Sequence, residues 1–134
     1  LILYFLDKHF PDPDHLVRPT DPLPIVVDEA EIRELFPTDD RLENYRALNK
    51  AVREIGLNIP PLVNAYMALS PEMRVFGTAI NEDFGHVEET GILIAIDEII
   101  PDKRVRHIET FDPDKAQSDL LWTNISRRVR LVKS

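Results

Sequence analysis

The chain has 134 residues, 43% of them apolar and 30% charged, with a net charge of −8 and no cysteine. That length corresponds to one domain or part of one. The composition excludes disulfides, thiol catalysis and zinc–thiolate sites, argues against nucleic acid as a partner because phosphates require a basic surface, and contains no apolar run near the ~20 residues of a membrane-spanning helix.

Leu1 to Leu6 is the longest apolar run, and it lacks the basic flank and cleavage site of a signal peptide. As a helix over residues 1–9 it would be apolar on every side, so it must be buried. Pro11 and Pro13 stop it. Residues 10–24 hold five prolines and three aspartates and read as an extended linker or a loop wrapped on the surface. His9 and His15 lie near Asp7, Asp12 and Asp14. The prolines deny them regular ligand spacing, so they read as solvated turn residues and no metal is assigned.

Asp28 begins a helix, with Glu31 three residues on as an Asp version of the capping box. Ile32, Leu35 and Phe36 form its apolar stripe before Pro37. A second helix starts at Thr38 or Asp39. Leu42, Tyr45, Leu48, Val52 and Ile55 recur at three- and four-residue spacing up to Gly56, which predicts an amphipathic helix laid on a sheet. Pro60 and Pro61 open a third helix, with Leu62, Val63, Tyr66, Met67 and Leu69 on its apolar side. Tyr66 can present its hydroxyl to a ligand or simply pack with one hydrogen bond.

Arg74 to Ile80 alternates as a strand, with Val75, Gly77 and Ala79 on one face and Phe76, Thr78 and Ile80 on the other. Ile92 to Ile96 is continuously apolar, which predicts a central strand covered on both faces. Between them Asn81 to Thr90 reads as a loop about twice the usual hairpin length. It carries Glu82, Asp83, His86, Glu88 and Glu89. Such a loop is either a place for function or merely solvated and acidic. Pro101 and Asp102 start a further helix, with Val105 and Ile108 inward and Lys103, Arg104, Arg106 and His107 outward. A weak helix is expected over residues 114–122, and an edge strand or tail over 126–134. There Arg127, Arg128, Arg130 and Lys133 give the last nine residues a charge of +4.

The expected organisation is an apolar helix and Pro-rich linker at 1–24, the main α/β portion at 25–111 and a tail at 112–134. Two convincing strands rarely make a stable sheet alone. The chain is therefore expected to be the C-terminal part of a longer protein or to complete its sheet with another chain, an oligomer included. The alternative is a small α+β domain with further strands.

A resemblance rests on several motifs together. These are Ile59-Pro60-Pro61-Leu62-Val63-Asn64-Ala65-Tyr66, Val75-Phe76-Gly77-Thr78-Ala79, Asn81-Glu82-Asp83-Phe84-Gly85, Ile92 to Asp97, and Arg104 to His107. Over residues 57–111 they resemble the C-terminal part of the hemolysin-like acyltransferases, the GNAT-fold N-acyltransferases of bacterial ornithine-lipid and glycine-lipid synthesis. Residues 1–22 resemble the segment before it, and residues after Phe111 match nothing in the family. The resemblance implies an α/β (α+β) fold, the C-terminal part of a GNAT-like acyltransferase with few strands flanked by helices. It also implies an acyl carrier protein or acyl-CoA thioester as acyl donor, an amino acid as acceptor, no further cofactor, and a cytoplasmic place with peripheral membrane contact. The family's N-terminal half, which forms the thioester cleft, is not in these residues, so catalysis is not assigned to them alone.

N-acylation needs a neutral amine, so a carboxylate must hold the arriving ammonium and take its proton. Asp83, Glu88 and Glu89 are the possible providers; Asp83 and Glu88 are the expected catalytic carboxylates, and structural capping of the turn by Asp83 is the alternative. Tyr66, Asn81, Phe84 and Glu89 are the expected substrate-binding residues, Phe84 as a wall for the acyl chain. Glu82 is expected to face solvent, and Gly85 to permit the sharp turn.

Overall fold

The structure is a computed structural model that describes residues 1–110 and Asp112. The helix expected at 114–122 and the basic stretch at 126–134 lie outside the described residues. The described residues divide into two compact units, the second beginning at Ile100.

In the first unit, α1 (Ile2–His9), α2 (Glu29–Leu35), α3 (Arg41–Glu54) and α4 (Pro61–Met67) precede an antiparallel ribbon of β1 (Arg74–Asn81) and β2 (Val87–Leu93). The class is mixed α/β with few strands flanked by helices, as expected. Phe5, Leu6 and Phe10 of α1 and its exit meet Ile32 and Phe36 of α2, Leu48 and Val52 of α3, then Ile59, Met73 and Val75, in one buried core. The all-apolar opening is buried only in part: Phe5 and Leu6 enter the core, Leu1, Ile2 and Tyr4 pack half-buried against it, and α1 as a whole lies against α3 and β1. The β1 end of the core is fixed by a backbone bond, Val75 N–H donating to the Phe10 carbonyl at 2.8 Å.

The helix starts follow their caps. Asp28 accepts from the N–H groups of Ala30 and Glu31 at 2.8 and 3.1 Å. Asp40, rather than Thr38 or Asp39, caps α3 by accepting from Glu43 N–H at 2.7 Å, while Thr38 Oγ1 donates to Glu43 Oε2. Two members of the expected α3 stripe are exposed: Leu42, on the first turn, and Ile55, the residue that ends the helix. α3 packs chiefly on α1 and α2. Its buried face includes a polar residue, Asn44, which is fully buried.

The ribbon departs from the expected alternation at one place. Val75 pairs with Ile92 and Thr78 with Thr90, so Phe76 and Gly77 together oppose Gly91. This bulge shifts the side-chain phase by one residue, which lets both Val75 and Thr78 point into the buried side. Gly77 sits at φ +101°, in the region that favours glycine, and a Cβ there would meet the Pro19 ring at 3.3 Å. The Pro-rich segment closes on this edge: Leu23 N–H donates to the Thr78 carbonyl at 2.8 Å, beside a bridge between Pro22 and Ala79.

The second strand also differs from expectation. It begins at Val87, inside the stretch read as a loop, and ends at Leu93. Ile94 packs on the core, but Ile96 is exposed and belongs to a 3₁₀ turn at Ile96–Glu98. The run of Ile, Leu and Ala is therefore not a strand covered on both faces. Among the described residues β2 pairs with β1 alone.

In the second unit, α5 (Pro101–Arg104) passes into a π-helical turn at Val105–Glu109. Val105, expected inward, is exposed, whereas Ile108 is half-buried.

Candidate functional site

The acidic stretch is a compact hairpin end, not a long loop. β1 runs through Asn81, a 3₁₀ turn takes Glu82–Phe84, and Gly85 at φ +75° and His86 at φ +56° reverse the chain into β2. Gly85 does supply the left-handed turn. His86 occupies the same region at the cost a side chain incurs there, a feature the sequence did not signal.

Strand register decides which carboxylates can work together. Asn81 opposes Val87, Ile80 opposes Glu88, and Ala79 opposes Glu89. Side chains alternate along a strand, so Asn81 and Glu89 share one face while Glu88 goes to the other with Ile80. The first pair is joined directly: Asn81 Nδ2 donates to Glu89 Oε1 at 3.0 Å. On the opposite face the hydroxyls of Thr78 and Thr90 hydrogen-bond at 2.7 Å.

The Asn81 face opens into a groove of about 600 Å³ between the hairpin and the Pro-rich segment. Asp21, Pro22 and Pro24 form one wall; Ala79, Asn81, Glu82, Asp83 and Glu89 form the other. Four carboxylates line it and no basic side chain does, so its potential favours a cation. Asp83, Asn81 and Glu89 are thus brought together. Glu88 is not with them, since the register aims it away. Glu82, expected to face solvent only, lines the groove. Phe84 is exposed at the hairpin tip and is not among the groove's lining residues. Tyr66 lies on α4, half-exposed, and its hydroxyl has no partner among the described residues; Tyr45, on α3, takes the packed-tyrosine role by donating to Asn64 Oδ1 at 2.9 Å.

Asp21 and the Pro22–Pro24 wall were not legible as site residues. Their only sequence signal was a proline at a position that must give up its N–H, as a strand-edge residue can. A second groove of about 460 Å³ adjoins the bulge and is lined by Val17, Arg18, Pro19, Phe76, Gly77 and Glu89 among others. Of the histidines and aspartates near the Pro-rich segment, Asp12, Asp14 and His9 are engaged elsewhere. Arg74 Nη1 pairs with both Asp14 and Asp12, Asp12 Oδ2 accepts from Leu16 N–H at 2.6 Å, and His9 meets Asn44.

The chain is 61% identical over 111 residues to a glycine N(alpha)-acyltransferase of Bacteroides thetaiotaomicron, covering 83% of this chain and 33% of that protein. A glycine N(alpha)-acyltransferase of Phocaeicola vulgatus is 62% identical over the same length, with 34% of that protein covered. No protein-family model matches the chain, and no solved structure matches it. The chain spans about a third of the length of the curated relatives it matches. It is homologous to that third of proteins named as glycine N(alpha)-acyltransferases, in agreement with the acyltransferase resemblance carried by its motifs.

Proposed function

We propose that the chain is part of an N-acyltransferase that moves a fatty acyl group from a thioester, on acyl carrier protein or coenzyme A, to the amine of an amino acid in bacterial aminolipid synthesis. The single observation that carries this is the identity of about three residues in five to proteins bearing the glycine N(alpha)-acyltransferase name; glycine is accordingly the acceptor proposed here. In this reading the chain contributes the C-terminal, GNAT-like portion, residues 25–111, and the remaining portion of the longer protein contributes the thioester cleft.

The groove beside the hairpin supports the amine end of the reaction. A substrate ammonium enters a site lined by Asp21, Asp83 and Glu89, with Asn81 holding Glu89 in one orientation. One carboxylate takes a proton from the ammonium, directly or through water. The freed nitrogen lone pair forms the C–N bond at the thioester carbonyl, the attacking nitrogen gives up its second proton as the tetrahedral oxyanion collapses, and the C–S bond breaks to release a thiolate, which takes up that proton as the thiol. Asp83 and Glu89 are the carboxylates best placed for this; Glu88 lies on the other face.

Two further placements belong to the same reading. Peripheral contact with an anionic lipid surface is assigned to the basic end, Arg127 to Lys133, at roughly 1 kcal/mol per basic residue. A second reading, in which the chain acts only as a module that completes another sheet, is favoured by the free edge of β2 among the described residues.

The deciding experiment uses the longer protein that contains this chain, supplied with a fatty acyl thioester of acyl carrier protein or coenzyme A and with glycine. N-acylglycine should accumulate with matching release of thiol. Absence of any N-acyl amino acid product, across a panel of amino acids, would leave only the sheet-completing reading.

A further inference from the structure

We propose that His9 and Asn44 form a proton-sensitive latch that holds α1 against α3. Asn44 is fully buried at the first full turn of α3. Its Nδ2 donates to the Thr38 carbonyl at 2.9 Å and lies 3.0 Å from His9 Nε2, while its Oδ1 is buried without a hydrogen-bond partner.

The orientation of that amide is fixed by chemistry. A backbone carbonyl can only accept, so the group facing Thr38 must be the amide N–H₂. Turning the amide over would set its oxygen against the Thr38 carbonyl oxygen. The second N–H of the same group then faces His9, and Nε2 must be the acceptor. That requires a neutral imidazole with its proton on Nδ1. A proton added at Nε2 would place N–H against N–H inside a packed contact. Either the amide inverts and loses Thr38, or the imidazole leaves Asn44.

The surroundings reinforce the neutral form. His9 is packed on the Phe5 ring, 4.7 Å between centroids, and burial is the largest influence lowering its pKa below the ordinary value of 6.5. Lys8 on its own helix and Arg41 on α3 oppose the positive charge; Asp39 and Asp40, before α3, favour it and do not outweigh the others. Lys8 is also engaged locally, with Asp39 at 3.1 Å and the Thr38 carbonyl at 3.3 Å. Arg74 of β1 is occupied by Asp12 and Asp14.

The latch lies next to the bond that anchors the sheet. Phe10 follows His9, and its carbonyl accepts from Val75 N–H at the start of β1. Releasing the end of α1 therefore loosens the β1 anchor as well as the α1–α3 contact.

The sign follows from linkage. The folded chain holds His9 neutral and the unfolded chain does not, so the unfolded state binds more protons below the ordinary histidine pKa. The latch's contribution is complete above that value and is lost as pH falls from it through the lower pKa of the folded chain.

Two measurements on the 134-residue chain test this. In nitrogen-detected NMR at neutral pH, His9 should show a protonated Nδ1 and an unprotonated Nε2, with a titration midpoint below 6.5. In urea titrations from about pH 7 to about pH 5, the unsubstituted chain should lose more stability than the His9→Gln variant, whose Oε1 can accept from Asn44 but does not titrate. A proton on Nε2 at neutral pH, a midpoint at or above the ordinary value, or an equal acid loss in both proteins would each overturn the latch. Should the variant fail to fold, the tautomer and midpoint in the unsubstituted chain decide alone.

Discussion

Among single residues, the carboxylates divide by register rather than by proximity in sequence. Glu88 and Glu89 are adjacent, yet the pairing of Ala79 with Glu89 and Ile80 with Glu88 sends them to opposite faces of the ribbon. Sequence alone could collect the acidic residues but could not choose between neighbours, because a one-residue difference in where β2 begins exchanges the two faces. It therefore selected Glu88 with Asp83, and the groove instead unites Asp83 with Glu89 and Asn81. The proposed chemistry yields a graded expectation for the longer protein. Asp83→Asn or Glu89→Gln should lower turnover by ~10²-fold or more at whichever residue acts as base, with thermal stability nearly unchanged because both side chains are exposed. Glu88→Gln should leave turnover within about twofold, a loss too small for a group that moves the proton. Steady-state rates and melting temperatures on the same preparations check this, and a Glu88 variant with the largest loss would reverse the assignment.

Whole elements were legible where period and caps agree, and obscured where a local irregularity intervened. The helices followed from their apolar spacing and from Asp28 and Pro61; α3 started late only because three capping residues, Thr38, Asp39 and Asp40, stand in a row and the bond to Glu43 selects the last. The ribbon was harder. Its outer half is wet, so β2 carries Glu88 and Glu89 where a buried strand would carry apolar residues, and in the sequence that polar run reads as a loop. The bulge was hidden as well, since a two-against-one register has no period in either strand. Gly77 is the residue that makes it feasible. Gly77→Ala should destabilise by about 1–3 kcal/mol, the usual cost of a side chain held in a disfavoured backbone region, with the 3.3 Å approach of Pro19 adding to it. Gly91→Ala, directly across the bulge, meets Phe76 at an ordinary 3.4 Å and has no positive φ, so its cost should be smaller. Urea denaturation of the two variants checks the order, and equal midpoints would mean that the bulge relaxes freely.

At the scale of the molecule, the sequence carried a mismatch that the fold retains. The helices make a buried core with one face of the ribbon, through Val75 and the partly buried Ile92, yet the sheet has two strands among the described residues. Ribbons of two strands are marginal in water, and this one is steadied by the Pro-rich segment on the β1 edge at Pro22 and Leu23. The β2 edge has no such cover among the described residues, and Val87 and Leu93 on that strand are substantially exposed. The relatives supply about three times the length that matches here. Exposed strand edges are sites for further pairing, so the outer edge of β2 is expected to carry another strand in the longer protein. Hydrogen exchange can read this directly. The β2 amides that do not bond to β1 should exchange rapidly in the isolated 134 residues. The same amides should slow by at least ~10-fold in the longer protein, the protection given by about 1.4 kcal/mol of added local stability. Amides of β1 bonded to β2 serve as the internal reference, since they are paired in both. Outer β2 amides that exchange no more slowly relative to this reference in the longer protein would show that this edge stays open.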